Sequence, residues 1–353
     1  MTAASAPAYV WQPSTAEIAA RAGIDPAEVI RADQNTSPFS PPWAGEVASR
    51  FASGVNEYPA ARYRDLRRAV AEHTGADESM VVPGAGADEL ILLAGRGVLR
   101  PGDRAVAESP TYAMYRIATL QAGAEYRSVP RVLPGAAFPT DALAAAARDA
   151  ALTWLCVPAN PTGDRPERAA VDAVVGAAGG VVVIDAAYAE FAGDGWGGYA
   201  AATPGVIVLG TLSKAFALAG ARVGYALAAP EHAALLDRIR PPGSVSSLSV
   251  ALALRSLAER SWMEEHVARV IELRRDLADG LRRLGLDPRP SSTNFVLAEV
   301  GPEAARIAGG LMDRGIVPRS FPDGHPLSEF LRFTVRTPQH QERMLDALDR
   351  ELR

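Results

Sequence analysis

Apolar residues along this chain fall into two alternating patterns. Short, β-rich apolar runs occur at Met80–Val82, Arg104–Ala107, Ala124–Val129, Thr153–Val157, Val181–Ile184, Val206–Leu209 and Val223–Leu227. Stretches of helical periodicity lie between them. Several of the runs are continuous rather than alternating, which is the mark of strands buried on both faces beneath helices. The pattern predicts an α/β fold whose large domain holds a mainly parallel, seven-stranded sheet covered by helices.

Both ends of the chain read differently. Residues 1–45 are rich in Pro, Ser, Thr and Ala, carry one short helical pattern at Thr15–Ala22, and read as an arm. Residues 46–240 form the expected large domain. Pro241, Pro242 and Gly243 then break the pattern, and residues 241–353 read as a smaller α+β domain. Its expected elements are a long amphipathic helix over Ser249–Leu284, strands in SSTNFVLAEV and LRFTV, and a last helix running to Arg353.

Composition removes several function classes. The chain has 353 residues, 48% apolar and 22% charged, as in a globular enzyme. A net charge of −5 leaves no basic footprint for nucleic acid. The longest uncharged stretches contain Gly, Pro, Thr and Tyr, so no membrane span is expected. One cysteine, Cys156, cannot form an internal disulfide, and the opening MTAASAPAYVWQPS has neither a basic nor a continuous apolar signal region. A cytoplasmic location is the expectation.

One count changes the picture more than the rest. Lysine and arginine total 36, yet Lys214 is the single lysine. Arginine serves everywhere else, including the helical faces that carry Arg62, Arg64, Arg67 and Arg68. A guanidinium replaces an ammonium as a charge but cannot act as an amine nucleophile. A solitary lysine on that background is a candidate for Schiff-base chemistry; chance survival is the plain alternative.

Three of the buried runs end in polar residues, at the sheet edge where open α/β folds bind ligands. TWLCVP leads to Asn160, VVVI to Asp185, and VIVLG to Thr211, Ser213 and Lys214. Each also has a structural reading: a turn start, a helix cap, a helix opening. Together they match the needs of pyridoxal phosphate. The amine can hold an aldehyde as an imine, the carboxylate can keep a pyridine nitrogen protonated, and Asn160 with Tyr188 can bond a phenolic oxygen. For the phosphate, PGAGADEL offers Gly84, Gly86 and the backbone amides of Ala87 and Asp88, supplemented by Thr211, Ser213 and Arg222. Gly84-x-Gly86 is followed by Glu89 where a dinucleotide fingerprint has its third glycine, and no Gly-Lys-Ser/Thr of a P-loop exists.

With these motifs in order, the chain resembles the fold-type I pyridoxal-phosphate enzymes, the class I/II aminotransferases, and most closely their histidinol-phosphate aminotransferase branch. The resemblance rests on YVWQPSTAE, NEYP, GAGADEL, SPTYAMY, ANPTG, DAAYAEF, TLSKAFALAGARVGY, NFVL and LRFTV, and it covers nearly the whole chain. It implies a pyridoxal-phosphate-dependent aminotransferase that moves an amino group from an amino donor to a 2-oxo acid. Lys214 would tether the cofactor and shuttle a proton, Asp185 would pair with the pyridine nitrogen, and Tyr112 would stack on the ring. Tyr58 would reach the phosphate of a neighbouring subunit, which implies a homodimer with shared sites. Arg332 and Arg319 would bind the substrate's anionic group, with Tyr9 and Asn35 in the same pocket; no metal is implied.

Departures from the branch's pattern gather around the substrate. Asn35-Thr36-Ser37-Pro38 stands where Asn-Glu-Asn-Pro is usual, Arg336 where a glycine is usual, and Gly243 where an aromatic follows the two prolines. A decarboxylase, oxidase or other lyase on the same scaffold, an aromatic amino-acid aminotransferase and a silent cofactor-binding protein are the other readings.

Overall fold

The computed structural model describes residues 9–131 and 137–353. In chain order its strands are β1 (Ile30–Ala32), β2 (Val81–Gly84), β3 (Arg104–Ser109), β4 (Glu125–Pro130), β5 (Leu152–Cys156) and β6 (Val181–Asp185), followed by β7 (Val206–Thr211), β8 (Gly224–Ala228), β9 (Asp287–Pro288), β10 (Phe295–Glu299), β11 (Ile316–Pro318) and β12 (Phe330–Thr334). All seven sequence-predicted runs become strands of one sheet, ordered β2-β8-β7-β6-β5-β3-β4. Neighbours pair in parallel except at β8, which runs antiparallel to both β7 and β2.

Side-chain alternation within the runs explains why they are continuously apolar. Val182 and Ile184 enter one core, with Val206, Val208 and Leu227, while Val183, Ile207 and Leu209 enter a second core with Leu90 and Trp154. Burying both faces takes apolar residues at every position. The edge strand β4 is the exception: it is mostly exposed and carries Glu125, Arg127 and a terminal Pro130. Charge and proline on an edge discourage pairing with other chains.

β8 reverses direction for a local reason. Parallel neighbours need a long crossover, usually a helix, whereas an antiparallel neighbour can follow a short connection. Residues 212–223 are that connection, and they hold both Lys214 and Arg222. The C-terminal ends of β2, β5, β6 and β7 therefore lie on one sheet edge with this loop. Register places Gly224 opposite both Thr211 and Gly84, and Cys156 opposite Asp185.

The C-terminal part holds an antiparallel sheet, β12-β10-β9, and β11 pairs in parallel with β1 from the N-terminal segment. An isolated bridge between Arg319 and Arg332 links the chain beyond β11 to β12. Ahead of β1, helix Thr15–Ala22 forms where the sequence predicts it. Ser14 and Glu17 make a reciprocal capping box, and Gly23 closes the helix in the left-handed conformation.

The single long helix expected over Ser249–Leu284 is corrected. The structure has two helices, Ser247–Ala258 and Arg260–Arg283, which part at Glu259 (φ −97°, ψ 53°). They serve different neighbours. The first packs on helices Ala44–Phe51 and Arg64–Thr74, the second on β9, β10 and helix Pro338–Leu352. One straight helix cannot present its apolar stripe in both directions. Among the described residues, no helix is long and apolar enough to cross a membrane.

The β7–β8 pairing leaves no room beside Gly210. A Cβ there would lie 2.2 Å from Tyr225 Cζ, on its register partner. Gly210→Ala is predicted to cost about 1–3 kcal/mol, the usual range for overpacking a filled core. Urea denaturation checks this, and an unchanged midpoint would contradict the packing described.

Candidate active site

Lys214 lies three residues beyond the end of β7, its amine turned toward the N-terminal segment. Nζ donates to the Asn35 carbonyl at 3.0 Å and, more weakly, to the Gln34 carbonyl at 3.4 Å. It also stands 5.8 Å from the centre of the Tyr188 ring. Burial brings the amine down to about 8, and the Arg332 and Arg222 guanidiniums push the same way against Asp88 and Asp185. A large share of Lys214 is therefore the neutral, nucleophilic amine in mildly alkaline solution.

Asp185 ends β6 with 4% of its surface exposed. Tyr115 Oη donates to Oδ2 at 2.8 Å and the Ala187 amide to Oδ1 at 3.1 Å. Burial raises its carboxyl to about 6 in spite of these two donors. Tyr115 is a site residue that sequence reasoning missed. It lies flat on Trp154, with ring centres 5.3 Å apart, and packs edge-on to Tyr112. The available signal was the spacing of two tyrosines in SPTYAMY, three apart, which puts both on one side of the helix that opens at Ala113.

At the other end of the cleft, the Gly84–Gly86 turn opens helix Gly86–Val98, with Gly86 at φ +79°. The first amides of a helix have no intrahelical acceptor, so Ala87 and Asp88 present N–H groups there. Arg222 reaches the same place, donating to Asp88 Oδ2 at 3.0 Å and to Ser213 Oγ at 3.4 Å. Thr211 and Ser213 hydroxyls are 3.0 Å apart, and Tyr112 Oη donates to Asp88 Oδ1 at 2.8 Å. Gly224 is required on steric grounds and Gly86 by its positive φ. A Cβ on Gly86 would lie 2.6 Å from Arg222 Nη2, and one on Gly224 would lie 2.8 Å from the Gly86 carbonyl carbon.

Between these ends, Arg332 on β12 is buried and spans two elements. Nη1 donates to Asn160 Oδ1, Nη2 donates to the Asp33 carbonyl at 2.6 Å, and Nε has no partner among the described residues. Burial lowers its pKa. Tyr188 is buried, accepts a hydrogen bond from Asn35 Nδ2 at 2.8 Å, and is held as a neutral phenol chiefly by desolvation. Tyr9 lies close enough to influence Tyr112 and Arg332. Arg319 exchanges backbone hydrogen bonds with Arg332, and its guanidinium is 3.5 Å from the Val10 carbonyl.

The fold thus gathers Lys214, Asp185, Tyr188, Asn160, Asn35, Arg332, Tyr112, Ala87, Asp88, Thr211, Ser213 and Arg222, with Tyr9 and Arg319 at the margin. Tyr58 stands apart. It is 92% exposed, in a groove with Phe51, Pro59 and Val250.

A desolvated lysine and a buried carboxylate thus lie on the carboxyl edge of an α/β sheet, beside an anion-ready helix end. Comparison with known proteins makes this specific. Residues 27–348 match the family described as aminotransferase class I and II, and the chain belongs to that family. A histidinol-phosphate aminotransferase of Methanopyrus kandleri is 35% identical, with the alignment covering 96% of this chain and 92% of the relative. One from Symbiobacterium thermophilum is 36% identical, over 91% and 90%. Among solved structures, histidinol-phosphate aminotransferase from Sinorhizobium meliloti in complex with pyridoxal-5'-phosphate superposes with a TM-score of 0.88. It is 28% identical, covering 97% of this chain and 95% of that one.

The raised Asp185 carboxyl has a consequence for stability. A carboxyl whose folded pKa exceeds its unfolded one binds protons better when folded, so stability falls as pH rises through that window. Relative to Asp185→Asn, the protein without ligand is predicted to lose on the order of 3 kcal/mol between pH 3.8 and about 6, then level off. Chemical denaturation of both proteins across that range tests it. A constant difference between them would show that Asp185 titrates normally.

Proposed function

We propose that this aminotransferase uses pyridoxal phosphate, takes histidinol phosphate as amino donor, and passes the amino group to a 2-oxo acid. The observation that carries the proposal is the desolvated amine of Lys214, the only lysine in the chain, on the same sheet edge as the buried Asp185. The relatives named above support the choice of donor.

The residues fit the cofactor. Gly86 and Gly224 bring backbone N–H groups and Arg222 together where a phosphate needs donors, and Ala87, Asp88, Thr211, Ser213 and Arg222 would hold it. Asp185 would face the ring nitrogen, where a cationic partner keeps its carboxylate ionised against the pull of burial. Asn160 and Tyr188 would bond the phenolic oxygen, and Tyr112 would lie against the ring. When bound, the cofactor supplies an aldehyde carbon and an electron-accepting ring.

What the chain itself contributes is binding and proton handling. Lys214 Nζ, brought down to about 8, takes and returns the substrate's α-proton near neutral pH. Arg332, with its unpartnered buried Nε, receives the donor's anionic group together with Arg319, while Tyr9 and Asn35 line that pocket and limit water. Tyr58 would complete the site of a second copy, in a homodimer with shared sites. This reading divides the chain into an arm (1–45, of which residues 1–8 lie outside the described residues), a cofactor domain (46–240) and a smaller domain (241–353), in a cytoplasmic protein.

The test is transfer from histidinol phosphate to 2-oxoglutarate by the purified protein with pyridoxal phosphate, read as glutamate formed against carbon dioxide or ammonia released. Glutamate is the expected product. Lys214→Ala and Lys214→Arg should each lose about a thousandfold or more of that rate, since a guanidinium keeps the charge but not the chemistry. Release of carbon dioxide as the main product, or near-normal transfer by either variant, would overturn the proposal.

A further inference from the structure

The segment that lies over Lys214 carries four successive backbone carbonyls, and each accepts a hydrogen bond from a distant side chain. Arg332 Nη2 donates to the Asp33 carbonyl at 2.6 Å. Lys214 Nζ donates to those of Gln34 and Asn35. Asn294 Nδ2 also donates to Asn35, at 2.9 Å, and Arg336 Nη2 donates to Thr36. Arg336 adds a bond to the Thr36 hydroxyl at 3.1 Å and steadies itself with Nε on the Val335 carbonyl at 3.0 Å. Asn35, in the middle, has φ +53°, an uncommon conformation for a residue with a side chain. Its Nδ2 reaches Tyr188 and its amide donates to Thr334 Oγ1 at 3.0 Å.

The cations on this strap differ in what else they do. On the reading of the site given above, Lys214 and Arg332 serve the cofactor and the substrate during turnover, and their donors leave the strap. Arg336 has no such second task. Its partners are the strap and its own neighbouring carbonyl, and burial lowers its pKa only to about 10, so it stays a cation at neutral pH. Thr36 and Arg336 are two of the four positions where the sequence leaves the branch's usual pattern, and in the structure these two touch.

We propose that Arg336 is a positioning residue, whose guanidinium anchors the Asp33–Thr36 strap and so keeps Asn35 against Tyr188 and Lys214 while the other two cations are engaged elsewhere. The inference rests on the assignment of Lys214 as the reactive amine. Its physical test does not, because hydrogen exchange reports strap order whether or not histidinol phosphate is a substrate.

The experiment uses the full chain, with pyridoxal phosphate for exchange and without it for lysine titration. In Arg336→Met, amides of the peptide spanning 33–39 should exchange about tenfold faster, the size expected for losing a charged donor, while helix Pro230–Ile239 stays unchanged. Arg336→Lys keeps one donor and should fall between, roughly threefold from wild type, which preserves the test if the methionine variant does not fold. Competitive acylation of Lys214, read on its own peptide, gives the second consequence. As the strap opens and water enters, Lys214 should rise from about 8 toward its ordinary 10.5, a change that a purely structural arginine would not produce. Unaltered exchange in both variants, or an unaltered Lys214 titration in a variant whose strap has opened, would overturn the proposal.

Discussion

Burial of an amine is the constraint on which this site depends. A lysine taken out of water loses stability as a cation, and its pKa falls until the neutral form competes. Lys214 stands at that balance because its surroundings do two opposed things. Arg332 and Arg222 add positive potential and drive the proton off, while the carbonyls of Gln34 and Asn35 accept hydrogen bonds from the ammonium and hold it. Asp185 experiences the same desolvation with opposite sign, so one dry cleft brings both a base and an acid toward neutrality. The aromatic stack of Trp154 and Tyr115 beneath Asp185 contributes to that dryness and supplies the single hydroxyl donor that the carboxylate accepts.

The reversal of β8 turns this chemistry into geometry. Had β7 been followed by another crossover helix, the residues after Thr211 would have led away from the carboxyl edge toward the opposite end of the sheet. Instead the chain stays at that edge for residues 212–223 and delivers Lys214 and Arg222 within one short connection. The return strand needs little space where it passes the Gly86 turn, hence Gly224 beside Gly86 and Gly210 beside the Tyr225 ring. Buried amine, helix N-terminus and sheet topology are thus one arrangement.

Local patterning made the large sheet legible in the sequence. Each of its seven strands is apolar over at least four positions or sits next to an unambiguous turn, and a both-faces-buried strand leaves little freedom in composition. The short partners were not legible. β1 and β11 have three residues each and β9 two, too few for any periodicity, and the first two exist because each finds its partner far away in the chain. The break at Glu259 was hidden because the apolar stripe continues through it and only the third dimension separates the two surfaces it covers. Within the site, residues at strand ends could be picked out by position alone. Tyr115 carried only the weaker signal of its spacing from Tyr112, since a buried tyrosine near a helix start looks like core until the carboxylate it bonds is seen. Nor does the sequence reveal that Arg336 and Thr36, 300 positions apart, share a hydrogen bond.

The arginine-rich background also has a consequence for how the cleft titrates. Every cation within reach of Lys214 is a guanidinium, and guanidiniums keep their protons across the whole physiological range, even Arg336 with its pKa lowered to about 10. The positive potential at the cleft is therefore a fixed quantity, and so is its push on the one amine. A lysine at the buried position 332 would itself lose stability as a cation, would titrate together with Lys214, and would spread the change over two coupled steps. With arginine there, the cation that gives up its proton as pH rises past about 8 is Lys214. A composition that looks at first like a surface bias is, at this site, what keeps the amine's titration separate from that of its cationic neighbours.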